Sequence, residues 1–434
     1  MPRPYFTALP VIALLASGST AVLAQTQQPS GQPPAGEQRA LPSDEVPRGA
    51  TVAERPRPDY DPIGVRLGGF LLFPDLSVSE SYNSNIFATD TNKRDDFITT
   101  IEPSLDLRSD WNNHALNFHA DAPVVRHADE TDENYTDYTL ATNGRLDVAR
   151  DLRLFGAAGY RVRHEERASP DNQGGAEPTE YSVTAASAGV EKSFNRLSLR
   201  LDGKYELYQY QDVEATSGGT IDQDGRDREH KEVALRTGYE LAPLREVYLL
   251  TGFNTRDYDQ ARDNNGFARS SDGYTLALGT KYDLTGVTAI DVFAGYRQQD
   301  YDDARLDTVQ GWTAGAKLIW NVTRLTTVTG TLSRDVEETT IANASGYFAT
   351  VAELRVDHEL LRNLVLDASL AYEEDEFEGI TREDEYYTGR VGAKYLINRN
   401  FSLSGGYRYR ERASSQSGAD FDENVVFVRL SSHL

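Results

Sequence analysis

The stretch DLRLFGAAGYRVRHEE, Asp151 to Glu166, alternates from one residue to the next. Leu152, Leu154, Gly156, Ala158, Tyr160 and Val162 fall on one side, and Arg153, Ala157, Arg161 and Arg163 on the other. Phe155 is the single large apolar side chain on the basic side. A period of two belongs to a β-strand with one apolar and one polar face, whereas an amphipathic helix repeats about every 3.6 residues.

The chain around this stripe is sparingly apolar. Of its 434 residues 39% are hydrophobic, the mean hydropathy is −0.55 and the formal net charge is −24. Beyond the N-terminus no apolar run is long enough to cross a bilayer as a helix, which excludes a helical membrane protein. Disorder is excluded as well, because 24 Tyr, 16 Phe and 34 Gly are not the composition of an acidic chain that fails to fold. Aromatics and glycines in alternating segments point to strands. The chain has no cysteine, which removes disulfides, thiolate catalysis and cysteine-ligated metals.

Residues 1–24, MPRPYFTALPVIALLASGSTAVLA, have the layout of a secretory signal peptide. Arg3 supplies the positive start, Val11 to Ala16 the apolar centre, and Val22 to Ala24 the small-residue cleavage site. Residues 25–63 are rich in Pro, Gln and Glu. Their apolar surface is too small to offset the entropy of ordering, so they read as a flexible periplasmic segment. Residues 64–434 remain as the folded domain.

After Phe70 the opening pattern recurs to the last residue, for example in NRLSLRLDGKYELY (Asn195 to Tyr208), REVYLLTGFNTRDY (Arg245 to Tyr258) and RNFSLSGGYRYRER (Arg399 to Arg412). Eighteen alternating strands are expected, from 76–83, 97–109, 114–126 and 137–148 through 308–321 and 324–336 to 401–412 and 423–434. Their connections sort by parity. One set is short (ARD, FNR, APLR, LTG, NVT, LLRN, INRN), and the other is long and mostly acidic, including 127–136, 165–179 and 211–228.

An even number of strands, with short turns at one end and long loops at the other, is the pattern of an outer-membrane barrel, antiparallel and up-and-down. A soluble sandwich would not sort its loops in this way, and propeller strands are shorter. Lipid tolerates no unpaired backbone group, so the sheet must close on itself. The low hydropathy follows, since only every second strand residue faces lipid. The final segment NVVFVRLSSHL fits too, with Val426, Val428, Leu430 and Leu434 on one face; a terminal Leu stands where barrels more often end in an aromatic residue.

With the apolar register outward, Arg161, Arg163, Arg200, Arg236, Arg256, Arg297, Arg355, Arg390, Arg408 and Arg410 point into the lumen. So do the aromatic residues Phe155, Tyr208, Tyr248 and Phe293. A cation on the lipid face would cost roughly 2–4 kcal/mol at the midplane, which fixes this register. Two readings of the basic lumen stay open. Inward Arg–Asp and Arg–Glu pairs can brace the barrel and select nothing, or the arginines can contact anionic solutes while the rings offer faces to sugars. Tyr160, Tyr205, Phe253, Tyr296, Tyr372 and Tyr407 recur toward the outer strand ends, as interface anchors should. The acids concentrate in the long loops, where they can hold divalent cations of the lipopolysaccharide layer; DQDGRD (Asp222 to Asp227) lacks the closing Glu of a calcium loop.

Between Val52 and Trp111 the chain carries RPRPDYDPIGVRLGGF (Arg55 to Phe70), Phe73-Pro74 and YNSNIFAT (Tyr82 to Thr89). Through these it resembles the putative β-barrel porin 2 family of proteobacterial outer-membrane proteins. Members often accompany exopolysaccharide or capsule loci. The resemblance implies a barrel that lets a polysaccharide cross the outer membrane with a periplasmic export partner, and it offers no catalytic residues to carry over.

The seven histidines are scattered, with neither an HExxH nor a GxSxG pattern, so neither catalytic residues nor a cofactor or bound metal are expected. The expected function is that of an outer-membrane porin-like channel of a Gram-negative cell, serving exopolysaccharide or capsule export. A general diffusion porin and a structural or adhesive barrel with a plugged lumen are the alternatives. Expected partners are outer-membrane lipids, lipopolysaccharide and the barrel insertion machinery, and no nucleic acid.

Overall fold

Alternating side chains build one continuous antiparallel wall. The computed structural model describes residues 50–284 and 286–434; the expected signal peptide and most of the Pro-rich segment lie outside the described residues. The wall begins with β1 (Phe70–Asn83) and β2 (Asp96–Ser109). β3 is split into Ala115–Asp121 and Val124–His127, and β4 into Tyr135–Thr136 and Tyr138–Ala149. Next come β5 (Leu152–His164), β6 (Glu180–Phe194), β7 (Leu197–Tyr210), β8 (Arg228–Ala242) and β9 (Arg245–Tyr258). The second half comprises β10 (Ser271–Asp283), β11 (Thr288–Tyr301), β12 (Val309–Thr323), β13 (Thr326–Glu338) and β14 (Gly346–Leu361). It ends with β15 (Leu364–Phe377), β16 (Glu383–Leu396), β17 (Phe401–Ser414) and β18 (Phe421–His433).

Each strand pairs with its chain neighbours, and β1 closes the ring on β18 through Asp75↔His433 to Asn83↔Val425. The eighteen-stranded barrel is therefore the one the alternation predicts. Burial is inverted relative to a soluble protein. Leu278, Leu370 and Phe253 are 67%, 68% and 69% exposed, while Arg256 and Arg297 are each 2% exposed. The outer anchors Tyr160, Phe253, Tyr296 and Tyr407 are exposed on the outer surface, joined there by Tyr138, Tyr274, Trp312 and Tyr387.

Three departures from the sequence reading have a proline at their root or concern edges. β1 starts at Phe70 rather than 76, with Pro74 inside it. The strand tolerates that proline because pairing with β18 begins only at Asp75, so Pro74 is at an edge, where a missing N–H costs no rung. A short strand Val65–Leu67 folds back on Phe70–Leu72 and covers part of this edge. β3 breaks at Ala122–Pro123, and the Asp137 N–H donates to the Pro123 carbonyl where β4 is interrupted.

The ladder between β12 and β13 is also incomplete. Its pairing stops at Ala314↔Arg334, so Val309–Thr313 and Asp335–Glu338 do not pair with each other. Both stretches keep their other partners, β11 and β14.

The register makes a direct prediction. Leu278→Arg, on the lipid face near mid-height, should lower stability by roughly 2–4 kcal/mol in urea titrations of vesicle-inserted protein. Thr331→Arg, inward beside Lys317 and Glu353, should cost under about 1 kcal/mol.

Candidate solute pathway

The lumen has a floor, a lining and a roof. The floor is the segment 51–61, which is bonded to the periplasmic rim from the end of β12 to the turn before β17. The Val52 N–H donates to Thr327 Oγ1 at 2.9 Å, and Arg57 pairs with Glu359 at 3.2 Å, both inward positions of β13 and β14. Burial lowers the Arg57 guanidinium from its ordinary pKa while Glu359 opposes that shift. Arg362 and Arg399 of two periplasmic turns donate to the carbonyls of Pro56 and Pro58 at 3.0 and 2.6 Å. This part of the Pro-rich stretch is thus bonded to the rim.

Eight of the ten inward arginines have a carboxylate partner: Arg163 with Asp137, Arg200 with Asp202 and Glu191, Arg236 with Glu246 and Arg256 with Glu338. Arg297 pairs with Asp335, Arg355 with Asp357 and Asp367, Arg408 with Glu423 and Arg410 with Glu166. Arg161 has no ion pair among the described residues, and Arg390 lies inward on β16 among other charges. Acids two residues away on the same strand serve two of them, Arg200 and Arg355, because i and i+2 share a face. The aromatic residues serve the same network. Arg200 lies 4.7 Å over Phe155 and Arg236 3.9 Å over Tyr248, whose hydroxyl donates to Asp291. Phe293 packs with Tyr248, Leu250, Ala234 and Ala277.

The roof is loop 165–179, which turns inward instead of standing above the barrel. Its Glu165 pairs with Arg226 of loop 211–227 at 2.7 Å. Burial is the largest influence and opposes the Arg226 charge, but Glu165, Tyr210 and Asp171 together outweigh it and hold the guanidinium above its ordinary pKa. Arg410 and Arg412 of β17 reach Glu166 and the Ala168 carbonyl at 3.3 and 2.9 Å. At the far side Asp171 accepts from Thr339 Oγ1 at 2.7 Å, the Thr340 N–H at 2.9 Å and Thr340 Oγ1 at 3.3 Å.

Beneath this loop lies a polar cavity that opens to solvent. Tyr181, Tyr208, Tyr210, Tyr258 and Tyr347 line it together with Arg226, Arg228, Arg256 and His230. Tyr181 and Tyr210 stack at 5.2 Å, and Arg228 sits 4.5 Å from the Tyr208 ring. Arg228 has no ion pair among the described residues; it donates to the Arg226 carbonyl at 3.0 Å and lies against three tyrosine rings, with the Glu338 charge near enough to be felt. His230 Nδ1 is 3.5 Å from Glu206, and its Nε2 is buried without a partner.

Of the sequence candidates only Tyr208 and Arg256 belong to this cavity. Tyr210 was legible as the next inward position in YELYQY, and Arg228 missed the expected strand by one residue. The inward fold of loop 165–179 has no local signal. Elsewhere, Asp212, Asp222 and Asp224 bring carboxylate oxygens within 4.8 Å of one another, as do Glu374, Glu383 and Glu385; the first group takes in the start of DQDGRD.

A closed eighteen-stranded antiparallel barrel with a lipid-facing apolar surface, a charged lumen and an inward loop defines an outer-membrane barrel of the porin type. The chain belongs to the family described as Putative beta-barrel porin 2, whose model matches residues 57–433. No curated protein matches it. Among solved structures it is similar to OccK3 (OpdO) of Pseudomonas aeruginosa, at 15% identity and a TM-score of 0.43, covering 84% of this chain and 96% of that one. It is similar also to OpdK of the same organism, solved with vanillate, at 11% identity and 0.43, covering 84% and 99%. The Pseudomonas aeruginosa ferric enterobactin receptor in complex with enterobactin matches at 8% identity and 0.47, covering 85% and 82%. These likenesses concern the fold alone.

Two substitutions test the floor and roof. Asp171→Ala removes an ionised acceptor worth about 1.5–3 kcal/mol to the roof. It should raise single-channel conductance and open loop 165–179 to protease. Arg57→Ala leaves the buried Glu359 only its longer pair with the exposed Arg362, at 3.6 Å, and should likewise raise conductance while exposing the segment 51–61 to proteolysis.

Proposed function

We propose that the protein is a non-enzymatic channel for saccharide chains, serving exopolysaccharide or capsule export across the outer membrane with a periplasmic partner. The observation that carries this reading is the tyrosine-lined cavity directly under loop 165–179. The tyrosine rings, two of them stacked, present flat apolar faces edged with hydroxyls, the surface on which a sugar ring can slide without being held at one point. Arg228, ringed by tyrosines and without a direct ion pair among the described residues, gives an acidic sugar one cation to meet there. The paired arginines below it keep the lumen polar, and a passing anion can exchange with their carboxylate partners one at a time.

The test is single-channel recording of the refolded protein in planar bilayers, with and without neutral and uronate-containing oligosaccharides. Stable steps that the oligosaccharides block are expected. Tyr208→Ala with Tyr210→Ala should weaken block by both sugars roughly three- to tenfold, the loss of about 0.5–1.5 kcal/mol of ring contact. Arg228→Gln should weaken block by the uronates alone. Stable steps indifferent to every sugar would leave a general diffusion porin, and no steps would leave a plugged structural barrel.

A further inference from the structure

The gap between β12 and β13 is in an informative place. Trp312 of β12 stands directly opposite the girdle residue Tyr296, so the missing rungs lie at and beyond the outer girdle. Above Ala314 the β13–β14 hairpin does not continue the wall but leans behind β12. Val336 and Phe348 share the outward register of Arg334 and Thr350, yet they are 0% and 2% exposed. Their cover is Val309, an inward-register residue of β12, with Tyr301 beside it. Gly311 leaves room for the overlap: a Cβ there would come within 3.1 Å of the Phe348 ring.

The backbone is already fitted to do without the ladder. The Val336 N–H is taken by Asp335 Oδ1 at 2.7 Å, and its carbonyl accepts from the Arg256 guanidinium at 3.1 Å. Arg334 fills the gap as a wedge. Its guanidinium lies 4.5 Å from Trp312 on the outside and 4.5 Å from Phe348 on the inside. It is also bonded to Thr350 and to Glu376, each at 2.5 Å. Behind the wedge, the same hairpin contributes Glu337, Glu338 and Tyr347 to the polar cavity.

We propose that this seam is a lateral gate joining the lumenal cavity to the outer leaflet at headgroup level. It takes an amphiphile whose polar head occupies the cavity and whose acyl chain passes between Val309 and Phe348. The throat is apolar and the cavity polar, which is the order of surfaces such a molecule needs. Opening breaks no strand pairing, and the chain replaces Val336 and Phe348 contacts with apolar contacts of its own. An axial channel has no use for the gap, since a complete ladder would seal the wall better. This gate goes beyond the saccharide reading and does not depend on it.

The experiment is fluorescence quenching in vesicles of acyl-brominated phosphatidylcholine. The protein carries Phe348→Trp, with Trp111, Trp312 and Trp320 each changed to Phe. Ala185→Trp in the same background is the lumenal control, and a protein keeping only native Trp312 is the lipid-exposed control. Quenching at Phe348→Trp well above the lumenal control is expected. Arg334→Ala, which removes the wedge, should increase it several-fold. Val309→Cys with Val336→Cys, introduced into the cysteine-free test protein and oxidised, should abolish it, while the same disulfide in the Trp312-only control leaves quenching there intact. An indole at position 348 quenched no more than the lumenal control, with or without Arg334→Ala, overturns the gate. Quenching that the disulfide does not change overturns it too.

Discussion

Every feature of this molecule depends on one constraint: a backbone N–H or C=O that faces hydrocarbon must be bonded within the wall. In water an unpaired rung finds solvent, but in the bilayer it finds nothing, at a cost of several kcal/mol for each group. The ring closure between Asp75–Asn83 and Val425–His433 is the direct answer to that constraint. Once the wall is sealed, alternation forces the remaining chemistry inward, and a sequence of negative hydropathy becomes a membrane protein. The same constraint explains where irregularity survives. The Pro74 edge and the open seam above Ala314 sit toward strand ends, the Pro123 break lies opposite the middle of β2, and at each a nearby polar group serves the freed backbone.

The charged lumen is a second consequence. Inward arginines are buried, and a buried charge without a partner is costly, so strand neighbours two residues away provide acids on the same face. Arg200 with Asp202, and Arg355 with Asp357, follow this rule. The result is a lining that is polar but locally neutral. Arg228 stands apart because rings, not a directly bonded carboxylate, lie against its guanidinium, and that difference sets the character of the cavity under the loop.

Much of this was legible in the sequence, and what was not has a physical reason. Period-two alternation and loop parity carried the strand number, the direction of closure and the inward register of Arg256, Tyr208 and Tyr248. They are local properties, visible a few residues at a time. The partners were harder. That Glu246 answers Arg236 depends on cross-strand register, and that Glu338 answers Arg256 depends on a hairpin leaning inward. Asp171 meeting Thr339 joins loops 168 residues apart, and nothing near either position foretells it. The Pro-rich composition of residues 51–61 argued for freedom, but Arg57 and the carbonyls of Pro56 and Pro58 have specific partners on the rim.

Those rim partners also impose an order of events. Val52, Arg57 and Pro58 are bonded to positions 275 to 341 residues farther along the chain, on β13, β14 and the turn before β17. A segment near the start of the chain therefore cannot reach its seat until strands from the far end have been synthesised and aligned. Docking of the floor is a late step in assembly, coming after the wall it rests on. A partly built barrel keeps its periplasmic mouth open, and the seated segment is a built-in mark that the C-terminal half of the wall is in place.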